Sequence, residues 1–194
     1  FSSDYIHHFV EAKKLAFEDR AKYYADPNFN KIDITKQGSG NIGATNVLRS
    51  GSKALAILTL LIDALKGAIP VVLFSFNSYL MALAGLFSFL GHNFPVWLKF
   101  KGGKGVATYI GIVSSINLLF GLITCMIWLL SATMSRMSSL SALISATFGP
   151  ILIYFMLDSS YLGISIALTF LIFWTHKTNI YRILNGTETR INVK

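Results

Sequence analysis

The chain has 194 residues, 53% of them hydrophobic, and a formal net charge of +8. From Ala54 onward its apolar residues lie in long blocks, which excludes an ordinary soluble core and indicates an integral membrane protein. The spans must be helices, because an open sheet leaves backbone groups unsatisfied in lipid and no alternation typical of a membrane barrel is present. The sequence carries no motif for nucleic-acid binding, so the basic charge is attributed to membrane topology and to anionic ligands.

Residues 1–30 differ from the rest of the chain because they mix charges of both signs at loosely helical spacing. The charged residues from Glu11 to Lys22 prevent this segment from crossing a bilayer. We therefore expect a charged amphipathic N-terminal segment over residues 1–30, followed by a membrane-embedded domain over residues 31–194.

Six apolar segments predict an all-α, polytopic membrane fold with about six spans. They lie at residues 54–76, 79–98, 106–116, 118–134, 140–157 and 161–175. The third is too short to cross fully, and Gly149-Pro150 is expected to kink the fifth. Asp63 and Lys66 lie one helical turn apart in the first span and can pair, in either a structural or a functional role.

If these spans alternate in direction, every Lys and Arg after residue 30 except Lys66 falls on one side of the membrane. The opposite connections, around Asn77, Asn117 and Asp158, carry no basic residue. The positive-inside rule makes the basic side cytoplasmic. Because the loops on that side are also rich in Gly, Asn, Ser and His, we expect the loops before Ala54, around Lys101 and after Thr175 to converge on one site.

One of these loops concentrates lysine and glycine: residues 99–108 read KFKGGKGVAT. Glycines let a backbone approach an anion with its N–H groups, and a helix starting near Gly105 adds the positive end of its dipole. The pattern favours a phosphorylated ligand. It is not a Walker P-loop, because that motif requires a glycine at Leu98 and a hydroxyl residue at Gly105.

Two further polar stretches lie on the basic side. Residues 38–49 read GSGNIGATNVLR and combine flexible backbone with neutral hydrogen-bonding groups and the planar fork of Arg49. Residues 176–188 read HKTNIYRILNGTE, in which His176 and Asn179 share a face if the helix continues past Thr175.

Together these stretches resemble the motifs of the bacterial acyl-phosphate:glycerol-3-phosphate acyltransferases, the PlsY type. Residues 38–49 resemble the first motif, 91–95 with 101–108 the second, and 176–180 with 186–188 the third. The resemblance implies transfer of a fatty acyl group from acyl phosphate to the 1-hydroxyl of glycerol 3-phosphate, which gives lysophosphatidate for phospholipid synthesis. It also implies a multi-pass protein of the bacterial inner membrane, in contact with membrane lipids, whose active site faces the cytoplasm.

Carried over to this chain, the resemblance implies a polar catalytic centre and a set of substrate ligands, without cofactor, metal or acyl-enzyme serine. The catalytic centre comprises Ser39, Lys104, His176 and Asn179. Substrate binding is assigned to Arg49, Asn41, Asn46, Lys101, Gly102, Gly103 and Ser141. Glu188 is implied to be structural, through pairing with a basic residue.

Family members have seven spans, and the charged residues 1–30 stand where the family has its first. Two alternatives to an active acyltransferase remain. One is a transporter of a small phosphorylated or carboxylated anion, because glycine-broken short helices such as residues 106–116 also occur in transporters. The other is an inactive paralogue.

Overall fold

The computed structural model of the chain describes residues 40–49 and 51–191, apart from the side chain of Trp97. These residues form α-helices joined by short connections, with no strand among them. The predicted all-α fold is confirmed, whereas the predicted N-terminal segment at residues 1–30 lies outside the described residues. The helices are α1 (Ala44–Arg49), α2 (Lys53–Leu73), α3 (Ser78–Asn93), α4 (Val106–Ile116), α5 (Leu118–Ser135), α6 (Ser138–Met156), α7 (Leu162–Thr175) and α8 (Lys177–Leu184).

The largest difference from the predicted boundaries is at the end of the second span. Helix α3 ends at Asn93 instead of continuing to residue 98, because the ring of Pro95 disfavours helical geometry at Phe94. A 3-10 turn at Val96–Leu98 then leads into the loop before α4. Pro150, by contrast, does not end α6, which is helical from Ser138 to Met156.

At each connection without basic residues, a short polar side chain caps the N-terminus of the helix or 3-10 turn that follows. Asn77 accepts hydrogen bonds from the first turn of α3, and Asn117 does the same for Phe120 in α5. Asp158 accepts from the N–H of Ser160 at the 3-10 turn before α7. Such caps satisfy the free N–H groups that begin each helix. At this end of the bundle the capping residues of the connections are therefore Asn and Asp, not Lys or Arg.

Helices α2 and α4 approach each other at backbone distance. A Cβ on Gly67 would lie 2.2 Å from the carbonyl oxygen of Thr108, and one on Gly111 would lie 2.0 Å from that of Ala64. Close approach through small residues is the usual basis of helix association in lipid, where apolar burial gives no driving force. This contact fixes the beginning of α4 beside the middle of α2.

The outer surface of the bundle is apolar and its interior is partly polar. Large hydrophobic residues on α2 and α5, such as Leu61 and Leu122, are about half exposed, whereas Thr124 and Ser145 are fully buried. This distribution suits a lipid-facing surface. In the described part of the chain α2, α5 and α6 are long and apolar enough to cross a membrane, and α7 with α8 makes a fourth candidate if that pair is one span with a 63° bend. The predicted count of six spans stays a prediction.

Candidate active site at the basic end of the bundle

The loops at the basic end of the bundle contact one another. Arg49, at the end of α1, donates from Nη2 to the carbonyl oxygen of Thr189 at 3.3 Å. Thr175, at the end of α7, donates to the carbonyl oxygen of Lys104 at 3.2 Å. The predicted convergence of the three loops is confirmed for their described parts, while Ser39 lies outside the described residues.

Glu188 joins three segments of this end of the molecule. Its Oε1 accepts from Ser139 Oγ at 2.7 Å and from Asn179 Nδ2 at 2.8 Å, and its Oε2 accepts from Arg182 Nε at 2.9 Å. We call Ser139, Asn179, Arg182 and Glu188 the Glu188 cluster. The Glu188 side chain is only 4% exposed. One carboxylate therefore ties the start of α6 and one face of α8 to the C-terminal segment.

The hydrogen bonds keep Glu188 ionised. Burial alone would raise the pKa of this carboxyl, but the bonds from Ser139, Asn179 and Arg182 outweigh that effect and hold the pKa below its usual value. The carboxylate lowers the net positive charge of the site. It also counteracts the effect of burial on Arg49, whose pKa is nevertheless lowered from its usual value, mainly by desolvation.

Lys104 is a half-buried cation that lies among the other charges of the site. The pKa of its ammonium group is lowered to about 8, mainly by burial and also by the positive charges of Arg182 and Arg49, while Glu188 partly offsets these effects. The charges of Arg182, Arg49 and Glu188 are thus close enough to act on Lys104. A lysine with a depressed pKa among other cations marks a place where an anion would be strongly favoured.

His176 lies between α7 and α8, where the chain bends by 63° instead of continuing as one helix. Its side chain is buried, and Nδ1 lies 2.8 Å from the carbonyl oxygen of Ile172. A carbonyl only accepts hydrogen bonds, so Nδ1 carries the proton and Nε2 is an acceptor. Burial lowers the pKa of His176 to about 4, and the nearby charge of Lys104 also favours the neutral ring.

The two glycines assigned to an anion cradle have a different local role from the one expected. The N–H groups of Gly102 and Gly103 donate to the carbonyl oxygens of Asn93 and His92, at 3.0 and 3.3 Å. Both N–H groups are therefore already paired within the protein, and the assignment of Gly102 and Gly103 to substrate binding stays a prediction. A Cβ on Gly102 would lie 2.1 Å from the His92 carbonyl oxygen, so the residue is glycine because the loop packs against the end of α3.

The free backbone donors of this loop lie slightly later in the sequence. No acceptor is found among the described residues for the N–H groups of residues 104–108, which form the approach to α4 and its first turn. Gly105, with φ of 80°, begins the helix in the left-handed region that glycine favours. The predicted helix start near Gly105 is confirmed, and it adds the positive end of the α4 dipole next to Lys104.

The other predicted ligands differ in their surroundings. Asn46 and Asn179 are buried, Asn41 is half-buried and Lys101 is exposed. Ser141 is fully buried and donates to the carbonyl oxygen of Met137, the residue just before its own helix. Their roles as substrate ligands stay predictions. Within residues 40–49 and 51–191 no three His, Cys, Asp or Glu side chains are grouped closely enough to hold a metal ion.

Two contacts at the site were not assigned from sequence. Ser139, not Ser141, is the serine of the 138–141 run that reaches Glu188, and Arg182 is the basic residue that pairs with it. The sequence did point to this run as a candidate part of the site, because its three serines follow the basic residue Arg136 at the start of α6. Sequence spacing alone did not distinguish Ser139, which donates to Glu188, from Ser141, which donates to the backbone just before its own helix.

Comparison with known proteins identifies the family to which this arrangement belongs. Residues 22–186 match the family model described as glycerol-3-phosphate acyltransferase. This chain belongs to the glycerol-3-phosphate acyltransferase family. It is 50% identical over 164 residues to the glycerol-3-phosphate acyltransferase of Rhodopseudomonas palustris (strain BisB5), covering 84% of each chain. It is 46% identical over 168 residues to that of Pelagibacter ubique (strain HTCC1062), covering 85% of this chain and 86% of the relative.

Solved structures of the same family share the fold. The crystal structure of PlsY, an integral membrane glycerol 3-phosphate acyltransferase, in its glycerol 3-phosphate form matches with a TM-score of 0.81 and 33% identity, covering 89% of this chain and 88% of PlsY. The lysophosphatidic acid form matches with a TM-score of 0.75 and 36% identity, over 78% of this chain and 80% of PlsY. The shared fold agrees with the family assignment. Because the chain belongs to an acyltransferase family, the transporter alternative is no longer supported.

Proposed function

We propose that the chain transfers a fatty acyl group from acyl phosphate to the 1-hydroxyl of glycerol 3-phosphate, giving lysophosphatidate and inorganic phosphate. The observation that carries this proposal is the excess of positive charge at the basic end, where Arg49, Lys104 and Arg182 lie near one another with Glu188 as their carboxylate. Both proposed substrates are anions. A site with this charge can hold the two together against their mutual repulsion.

The phosphate of the acyl donor is assigned to the beginning of α4. The free N–H groups of residues 104–108 and the ammonium group of Lys104 supply hydrogen-bond donors and charge at the positive end of a helix. Acyl phosphate is already activated, because phosphate is a good leaving group. The site then needs only to position the two substrates and to stabilise the oxyanion that forms at the acyl carbon.

The acceptor is assigned to the side of the site formed by Arg49 and His176. Arg49 binds the phosphate of glycerol 3-phosphate, and Nε2 of His176 accepts a hydrogen bond from its 2-hydroxyl, which leaves the proton of the 1-hydroxyl available to the donor phosphate. The 1-hydroxyl oxygen attacks the acyl carbon, and the bond from that carbon to the phosphate oxygen breaks. The hydroxyl proton passes to a phosphate oxygen of the donor, so the leaving group departs as hydrogen phosphate and no acyl-enzyme forms.

The position of the site agrees with a reaction between a soluble and a lipid-tailed substrate. Apolar surfaces of α2 and α5 face lipid, while the cations lie at one end of the bundle. We propose that this end faces the cytoplasm of a bacterium, in accordance with the positive-inside rule, and that the protein lies in the inner membrane.

The proposed donor is tested by supplying purified protein with labelled glycerol 3-phosphate and one acyl donor at a time. We expect lysophosphatidate to form with palmitoyl phosphate and not with palmitoyl-coenzyme A. Formation of product only from the thioester would overturn the proposed donor and leave the acyltransferase activity intact.

Arg49→Lys is expected to lower kcat/KM for glycerol 3-phosphate about tenfold or more, while the amount of inserted protein stays unchanged. Lysine keeps the charge that directs topology but lacks the planar fork that binds phosphate with two hydrogen bonds. A lost charge-assisted bond costs about 1.5–3 kcal/mol. The measurement is activity per correctly inserted molecule, and full activity of the variant would show that Arg49 acts only in membrane orientation.

The value of kcat/KM for palmitoyl phosphate is expected to fall as pH rises through about 8. Because the pKa of Lys104 is lowered to about 8, its charge is present below that pH and is lost above it. Lys104→Arg should remove this fall, since a guanidinium stays protonated throughout the range. Rate profiles of both proteins between pH 7 and 10 test the assignment, and identical profiles would contradict it.

A further inference from the structure

A row of charged and polar side chains connects the middle of α2 to the end of α3, and the reaction described above gives it no role. Lys66 Nζ donates to Asp63 Oδ1 at 2.9 Å, and Nδ1 of His92 lies 3.7 Å from the same oxygen. The side chains of Asp63 and His92 are 5% and 9% exposed. Ionisable groups are costly inside a membrane bundle, so their presence calls for a function.

The opposite side of the His92 ring faces the loop of residues 99–105, which we call the glycine-lysine loop. A Cβ on Gly103 would lie 2.2 Å from Nε2 and 2.9 Å from Cε1 of His92. The three atoms nearest to that position all belong to this ring. The N–H of Gly103 also donates to the His92 carbonyl oxygen. His92 therefore contacts the Asp63 carboxylate with one ring nitrogen and the glycine-lysine loop with the other.

We propose that Asp63, paired with Lys66, fixes the orientation of the His92 imidazole, and that this ring positions the glycine-lysine loop so that Lys104 meets the acyl phosphate. Asp63 and His92 are positioning residues, because they act through Gly103 and the adjoining backbone instead of touching substrate. The absence of a side chain at Gly103 is then explained by the ring, which occupies the space. This inference rests on the proposed use of acyl phosphate.

The kinetic test is a double-variant cycle of Asp63→Ala and His92→Ala. Each single variant is expected to raise the KM for palmitoyl phosphate roughly 10- to 100-fold, the cost of a misplaced binding group, and to leave the KM for glycerol 3-phosphate within about twofold. The double variant should be no worse than either single one, since both remove the same contact chain. Additive effects, or equal effects on the two KM values, would overturn the inference.

A matched control lies one helical turn earlier on α2. Thr59 is as buried as Asp63, and its hydroxyl donates to the Leu55 carbonyl oxygen in its own helix. Thr59→Val should leave both KM values unchanged. If Asp63→Ala fails to fold, Asp63→Asn replaces it, because the amide keeps the shape and removes the charge.

Adding a methyl group at Gly103, with and without the His92 ring, tests the contact between the ring and the loop directly. Gly103→Ala alone is expected to raise the KM for palmitoyl phosphate about tenfold, because the methyl group displaces the His92 ring. In the His92→Ala background, Gly103→Ala should cause no further increase, since the space is then free. An equal penalty in both backgrounds would show that Gly103 acts independently of His92.

A third measurement does not depend on activity. Hydrogen exchange of the loop amides should be faster in Asp63→Ala than in the unmodified chain, because the bonds from Gly102 and Gly103 to α3 loosen when the ring is free to turn. Unchanged exchange would overturn the positioning role. A chain that makes no lysophosphatidate from acyl phosphate but shows faster exchange in the variant would instead refute the proposed reaction and retain the positioning role.

Discussion

Glu188→Ala is expected to reduce acyl transfer more than a hundredfold and to lower the stability of the protein. The substitution removes the common acceptor of Ser139, Asn179 and Arg182 and leaves Arg182, Arg49 and Lys104 without the carboxylate that offsets their charges. Removing one partner of a buried ion pair costs about 3–5 kcal/mol, and the lower end applies because Arg182 is partly exposed. The measurements are product formation per folded molecule and thermal unfolding in detergent.

Glu188→Gln tests the contribution of the negative charge of Glu188 separately from that of its side-chain shape. Its amide oxygen still accepts from Ser139 and Asn179, but its NH₂ group opposes Arg182. We expect an intermediate loss of activity and of stability. A Glu188→Ala protein that unfolds at the original temperature and keeps its activity would show that the Glu188 cluster does not organise the site.

Lys104→Met is expected to raise the KM for palmitoyl phosphate roughly 10- to 150-fold at pH 7, with a smaller change for glycerol 3-phosphate. Methionine keeps much of the side-chain volume and removes the charge that the proposal assigns to the donor phosphate. A charge-assisted hydrogen bond contributes about 1.5–3 kcal/mol, and 1.36 kcal/mol corresponds to about tenfold.

The control for this variant is Lys99→Met in the same glycine-lysine loop. Lys99 is exposed and adopts a left-handed backbone conformation, with φ of 51°, that methionine tolerates as well as lysine does. Its removal changes the net charge by the same amount at a different position. Equal effects of the two variants would mean that the loop attracts anions through its total charge and that Lys104 binds no phosphate directly.

The family resemblance and the helical fold could be predicted from the sequence because both depend on local pattern. Long apolar blocks predict helices wherever they occur, and α4 begins and ends where its flanking Gly105 and Asn117 indicate. The distribution of Lys and Arg also predicted which loops share one end of the bundle. Within the described residues, the contacts of Arg49 with Thr189 and of Thr175 with Lys104 agree with that prediction.

The contacts within the site could not be predicted in the same way, because they join residues distant in sequence. Ser139 meets Glu188 across 49 positions, and only the packing of α6 against α8 selects it over Ser141. The direction of the Gly102 and Gly103 N–H groups depends on where α3 ends, which sets the carbonyl oxygens that they meet.

The sequence by itself determined the helices, the polar loops and the end of the bundle at which those loops gather, since each follows from the spacing of apolar and charged residues along the chain. Only the tertiary structure decided that Glu188 joins α6 to α8 and that the His92 ring lies between Asp63 and Gly103. These contacts require particular atoms of separate helices to lie within a few ångströms. The close packing of α2, α3 and α4 fixes such distances, and local spacing does not encode it.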